Sequence, residues 1–474
     1  MPPQDATAAN TTHQAAALDA SVATARPLHR QSLNHPLFTE HTHALHAYCR
    51  RCCCRSTGLS QTVQASDFVA DSKATLDTRN FYINQDNRSG DAAPSYGEEW
   101  GQGFVLNFQS GYTDGPIGFG LDALAQLGIR LDSGGRTTKA DRSRNPGIVF
   151  PQDSDGSAVN EFSRIDFAAK ARISDNRYGV LQPKLPVLTY NDGRLLPQTF
   201  RGTQVTSSDI DGLTLTVGEI REASGRISSN YDDLRIAGGT ERVDRFRYAG
   251  GDYALTENLT TSYYFAELKD YYRQHYLGAV HNLALGDGKL TTDLRYFDSN
   301  AHGANDDQRA GYGASGFNNN GKVDNQAASA LFTFSQSGHS LGLGYQHLSG
   351  KSNFPFINNG DGATAYLITD SQIGKFQRAG ERTWLARYGY DFAAAGVPGL
   401  KATASYLRGT NVDSAVAGAD SEWERDLRVD YKVQSGYLKD LGISLRHASL
   451  RSEVAGQRDI DEVRAILSYS FVLR

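Results

Sequence analysis

The sequence predicts an all-β fold, a transmembrane antiparallel β-barrel, and three observations predict it. Apolar and polar residues alternate with period two over some 400 residues, as strands with two different faces require. Arg, Lys and Asp sit mid-strand on the polar face. Tight turns alternate with long Gly/Asn/Asp-rich segments, the asymmetry of a barrel with short turns on one side of a membrane and long loops on the other. At roughly 20–25 residues per strand and connection, the length allows about 16–20 strands, and a barrel that wide encloses water.

Composition agrees. The chain has 474 residues, a net charge of -5, 48 Gly, 24 Tyr and 21 Phe, and a mean hydropathy of -0.48. No stretch approaches the roughly 18 uninterrupted apolar residues of a membrane helix. A barrel strand hides its apolar residues at every second position, so a hydrophilic average is compatible with membrane insertion. No strongly basic domain or recognised motif supports nucleic-acid binding.

The strands can be read in order. Phe104, Leu106 and Phe108 alternate with Val105, Asn107 and Gln109. Phe119 to Ile129 alternates with Gly120 to Arg130, and Leu213, Leu215 and Val217 with Thr214, Thr216 and Gly218. Leu290, Thr292, Leu294 and Tyr296 oppose Thr291, Asp293, Arg295 and Phe297. Phe332 and Phe334 are followed by a tight hairpin at Gln336–His339, then by Leu341, Leu343 and Tyr345 opposite Ser340, Gly342, Gly344 and Gln346. Leu427, Val429, Tyr431 and Val433 oppose Arg428, Asp430 and Lys432. Residues 134–157, 300–325 and 349–362 are the long polar segments. A soluble sandwich or propeller would also alternate, but no blade-length repeat is visible and the polar face carries too much mid-strand charge.

The first sixty residues differ. All four cysteines (Cys49, Cys52, Cys53, Cys54) and half of the histidines lie there. The cluster His41 to Cys54 lacks the second, separated ligand pair of a recognised zinc site, so no metal or cofactor is expected. Gln61 to Ala65 resembles the end of a signal peptide, but the basic and apolar segments that should precede it are missing. The expectation is a disordered or corrupted leader over 1–66 and a barrel domain over 67–474.

Several segments resemble the OprD-type substrate-specific porins of pseudomonads and their relatives. They are LDTRNFY (76–82), EWGQGF (99–104), SGYTDGPIGFGLDA (110–123), YGVLQP (178–183), GRLLPQT (193–199), FAELKDYYRQH (265–275), WLARY (384–388) and VQSG (433–436). The stretches around Leu185 and over 422–425 look most like the OpdK-like branch. The resemblance implies an 18-stranded monomer in the bacterial outer membrane, narrowed by an inward-folded third loop. It implies passive uptake of small carboxylates, or of basic amino acids and peptides. Its implied partners are small solutes, outer-membrane lipid and lipopolysaccharide, and the barrel assembly machinery. Tyr469 and Phe471 keep the aromatic alternation such machinery reads, although Arg474 is an atypical last residue.

A carboxylate entering a narrow pore sheds water, and fixed positive charge must replace it. Arg suits best, because its planar fork engages a carboxylate twice. Arg446 and Arg464 match family positions for a basic lumen wall, and face parity adds Arg387, Arg428 and Lys432. Arg79, on the first strand, closes the ring beside the last. Arg194 matches a constriction residue in the segment 181–198. Asp370 and Lys375 stand where relatives tend to show Ser and Asp, a change expected to make a constriction more anion-favouring. Gln85, Asp430 and Ser444 replace basic residues of some relatives.

An outer-membrane enzyme is the competing class. Catalysis needs a nucleophile beside an oriented His base. None of His275, His281, His302, His339, His347 and His447 sits in a catalytic motif. A sealed, non-conducting barrel is the third class.

Overall fold

Period-two alternation makes the strands, and closure of their hydrogen-bond ladder removes every edge that lipid could not satisfy. The computed structural model is described over residues 66–88, 95–134, 146–173, 175–360, 362–413, 418 and 420–474. The leader and the histidine–cysteine cluster lie outside them. Among the described residues eighteen antiparallel strands form one ring. They are β1 (Lys73–Asn87), β2 (Tyr96–Gln109), β3 (Gly118–Ser133), β4 (Glu161–Arg172), β5 (Asp175–Leu181) and β6 (Thr199–Ile210). Next come β7 (Leu213–Ser224), β8 (Phe246–Thr256), β9 (Leu259–Leu268), β10 (Tyr272–Leu285), β11 (Gly288–Ala301) and β12 (Asp324–Gln336). The last six are β13 (His339–Gly350), β14 (Arg382–Asp391), β15 (Leu400–Thr410), β16 (Glu422–Lys432), β17 (Gly442–Ser452) and β18 (Ile460–Val472). β1 pairs with β18, Arg79 opposite Ser468, which closes the barrel.

The faces follow the alternation. Phe119, Phe167, Leu277, Leu343 and Trp384 project outward and are exposed, as residues bathed in acyl chains must be. Phe81, Ile83, Tyr248, Tyr264 and Phe297 point inward and are buried against loops folded into the lumen. The hairpin between β12 and β13 is a two-residue turn with Ser337 at φ 50° and Gly338 at φ 84°. Two positive φ values match the twist of the flanking strands, and Gly supplies the second without strain.

One strand breaks the pattern. β5 has seven residues, against sixteen in β3. It pairs with Ala168–Arg172 of β4, so residues 161–167 of β4 have no partner on β5. The chain leaves the wall at Leu181 and enters the lumen as the third loop, 182–198, which carries a small hairpin at Lys184–Leu185 and Leu188–Thr189. The segment 351–381 is longer than the polar stretch 349–362 suggests. It also turns inward and packs on the strands.

Candidate functional site

The lumen is narrowed by the third loop and by the loop 351–381. The third loop lies against β1 and β2. Arg79 donates from Nη1 to Asp192 Oδ1 at 2.7 Å, from Nη2 to Asp192 Oδ2 at 3.0 Å, and from Nη1 to the Arg194 carbonyl at 2.6 Å. Gly101 and Gly103 face inward beneath it. A Cβ at Gly101 would sit 2.5 Å from Phe150 Cζ and 2.9 Å from Leu195 Cδ2, and one at Gly103 would sit 3.0 Å from the Leu195 carbonyl. The two glycines of the EWGQGF segment therefore let loop backbone rest directly on the wall. Phe150 is brought there by Glu99, whose Oε2 accepts from the Ile148 and Val149 N–H groups at 2.7 and 2.5 Å. Val187 and Leu188, at the loop tip, join Phe200, Phe354, Phe356, Ala365 and Leu367 in an apolar cluster.

The loop 351–381 docks on β16 and β18. Glu424 accepts from the Ile373 N–H at 2.8 Å and the Gly374 N–H at 2.6 Å. Arg464 Nη2 donates to the Gln372 carbonyl at 2.9 Å. The two loops converge on Glu462, which is fully buried. Its Oε1 accepts from Arg464 Nε at 2.5 Å and Gln372 Nε2 at 3.0 Å. Its Oε2 accepts from Gln85 Nε2 at 2.5 Å and lies 4.0 Å from Arg194 Nη2. One carboxylate thus ties the third loop, the loop 351–381, β1 and β18 together.

The sequence-predicted residues fall into four groups. Arg79, Arg194 and Arg464 are consumed in this architecture: Arg79 tethers the third loop, while Arg194 and Arg464 are buried beside Glu462. Burial, reinforced by the neighbouring Arg464 charge, pulls the Arg194 guanidinium well below its ordinary range, and Glu462 opposes that shift. Asp370 and Lys375, read from the sequence as making the constriction more anion-favouring, pair with each other at 2.7 Å inside the loop, nearly solvent-free. Burial raises the Asp370 carboxyl to about 6, with Lys375 and Arg226 opposing the rise. Lys432 lies at the short-turn end of β16, exposed and bonded to Asp440 at 2.8 Å, away from both loops.

Arg387, Arg428 and Arg446 line the inner face of β14, β16 and β17. Arg428 stands directly opposite Arg446 across the β16–β17 ladder. Arg428 is paired with Asp430 at 2.6 Å, and Arg446 donates to Ser444 Oγ at 3.1 Å. Arg387 donates to Ser405 Oγ at 3.2 Å and makes no ion pair with a carboxylate among the described residues. Sequence reasoning missed Glu462, Glu424, Gln372 and Arg295. Arg295 is held by Asp293 at 2.6 Å, and its guanidinium lies 4.0 Å over the Tyr366 ring. A signal existed for two of them: Glu462-x-Arg464 and Asp293-x-Arg295 place opposite charges two apart on one strand face.

Comparison with known proteins matches residues 66–473 to the family described as outer membrane porin, OprD family. The Porin-like protein GalP of Pseudomonas putida is 35% identical over 413 residues, covering 86% of this chain and 94% of its own. Porin D of Pseudomonas aeruginosa is 32% identical, covering 87% and 93%. Among solved structures, Pseudomonas aeruginosa OccK8 (OprE) superposes with a TM-score of 0.79 at 50% identity, covering 86% of this chain and 100% of that one. Pseudomonas aeruginosa OpdK, solved with vanillate, superposes with a TM-score of 0.76 at 35% identity, covering 85% and 100%.

Proposed function

The chain belongs to the OprD family of outer membrane porins, integral to the outer membrane, and we propose that it admits small carboxylates. The observation that carries this reading is Arg387. It faces the lumen with a guanidinium that bonds a neutral hydroxyl and forms no ion pair among the described residues, Asp426 acting on it only through space. Arg428 and Arg446, opposite one another two and three strands further round, extend the basic surface. A carboxylate that sheds water beside such a surface regains charge-assisted hydrogen bonds.

The alternative, passage of basic amino acids or peptides, would need free lumen carboxylates. Glu424 and Glu462 are instead occupied by loop N–H groups and side-chain donors, and Asp430 is paired with Arg428. OpdK was crystallised with vanillate, itself a carboxylate, which points the same way. The test is the reversal potential of the purified channel in a salt gradient, followed by liposome uptake of benzoate against arginine. Anion preference and faster benzoate entry are expected; cation preference overturns the proposal.

A further inference from the structure

The outer surface of the barrel carries a basic cluster that solute passage does not use. On the outward face of β7 to β10 a charged row runs across the sheet in direct register: Glu219 opposite Arg247, Arg247 opposite Glu267, and Glu267 opposite Arg273. Each charge lies one outward step above an apolar or aromatic residue, Val217 on β7 and Phe265 on β9 among them. His275, one step below Arg273, bonds the Tyr263 hydroxyl through Nδ1 at 2.9 Å. The row therefore stands at the upper rim of the lipid-facing band, at the long-loop end of the barrel, which is extracellular in this class of protein.

Its charges do not balance. Three guanidiniums converge on the single carboxylate of Glu219: Arg221 at 2.7 Å, Arg247 at 2.9 Å and Arg245 at 4.0 Å. That leaves two positive charges in excess at one point. Arg245 Nε is enclosed and has no hydrogen-bond partner among the described residues. Arg273 and Lys269, close by, are neutralised by Glu267 and Asp244 and do not reduce the excess. Three like charges gathered around one acid at a membrane interface repel one another unless an anion joins them. The planar forks of three arginines suit a phosphate.

We propose that Arg221, Arg245 and Arg247 form a binding site for a phosphate of the lipid A moiety of lipopolysaccharide in the outer leaflet, with the acyl chains lying on the apolar residues below. The site faces away from the lumen and is independent of the solute.

The test uses the full-length channel in detergent and measures binding of diphosphorylated lipid A and of dephosphorylated lipid A. The wild type should hold the phosphorylated lipid about tenfold or more tightly than the dephosphorylated one. The double variant Arg245→Ala/Arg247→Ala should lose that difference and keep the wild-type single-channel conductance. Arg309→Ala, which removes one positive charge in the extracellular loop 302–323, should bind as the wild type does. Equal binding of the two lipids by the wild type overturns the proposal. So does undiminished discrimination in the double variant, or a loss in Arg309→Ala as large as in the double variant. If the alanine variant fails to fold, Arg245→Lys/Arg247→Lys keeps charge without the fork and should weaken phosphate discrimination by several-fold; unchanged discrimination there also overturns it.

Discussion

Replacing Glu462 by Gln isolates the junction of the two constriction loops. The carboxylate is fully buried and accepts from Arg464, Gln372 and Gln85, with Arg194 at 4.0 Å. Breaking a buried pair by removing one partner costs about 3–5 kcal/mol, because the remaining charge is stranded. Gln keeps the shape and one acceptor oxygen, so the smaller loss of about 2 kcal/mol expected for charge-assisted hydrogen bonds applies. That corresponds to about a thirtyfold rise in the population of undocked loops. The barrel wall itself keeps its ladder hydrogen bonds, so the channel should still assemble. Single-channel recording in a planar bilayer reads the effect as frequent steps to higher conductance and greater open-channel noise. A second variant, Gln372→Ala, should have a smaller effect alone and less than its full effect when combined with Glu462→Gln, because both act at one junction. Traces of Glu462→Gln with wild-type conductance and noise would refute the assignment of Glu462 as the tie between the loops.

Three further outcomes follow from the same geometry. Arg387→Gln should lower the anion-to-cation permeability ratio several-fold, read as a shift in reversal potential, while Lys432→Gln at the exposed rim should leave it near wild type. Gly101→Val should push Phe150 and Leu195 off the wall at a cost of about 1–3 kcal/mol, giving a noisier channel by bilayer recording; an unchanged trace would remove the close-approach argument. Asp370 holds its proton more tightly in the docked loop, at about 6 against an ordinary 3.8, so the docked state binds more protons between those values. Docking therefore weakens as pH rises from about 4 to 6 and is flat above. Channel noise should rise across that window in the wild type and lose this component in Asp370→Asn; identical pH profiles would count against it.

The strands were readable because period two survives every other pressure on a lipid-facing wall: a residue that slips register puts a charge into acyl chains. Parity placed Arg387 and Arg428 on the lumen face, as the family resemblance did Arg446 and Arg464, and the ladder pairings align Arg428 with Arg446 and Arg446 with Arg464. What parity cannot supply is the state of each charge. The pairing of Arg428 with Asp430 and of Arg464 with Glu462 lay within a two-residue window and was available to a same-face scan. The pairing of Arg79 with Asp192 spans more than a hundred residues and depends on where the third loop lands. The inward course of the loop 351–381 was illegible for a related reason. Its Gly, Asn and Ser content reads as solvated loop, and wall groups distant in sequence, Glu424, the Glu462–Arg464 pair, Gln346 and Arg295, give its backbone a reason to turn inside.

The shortness of β5 has an engineering consequence. Because that stave stops partway up, the third loop is launched from inside the wall, and its far end is pinned where Arg164 on β4 reaches across to the Pro197 carbonyl at 3.1 Å and the Ser228 carbonyl at 2.9 Å. The loop's position is then set by sheet register more than by its own length. Trimming residues from its tip would leave both attachment points where they are. Transplanting the loop between relatives would succeed only as a cassette that carries β5, Arg164 and the two lumen glycines with it, so the gauge of this pore is written into the joinery of its wall.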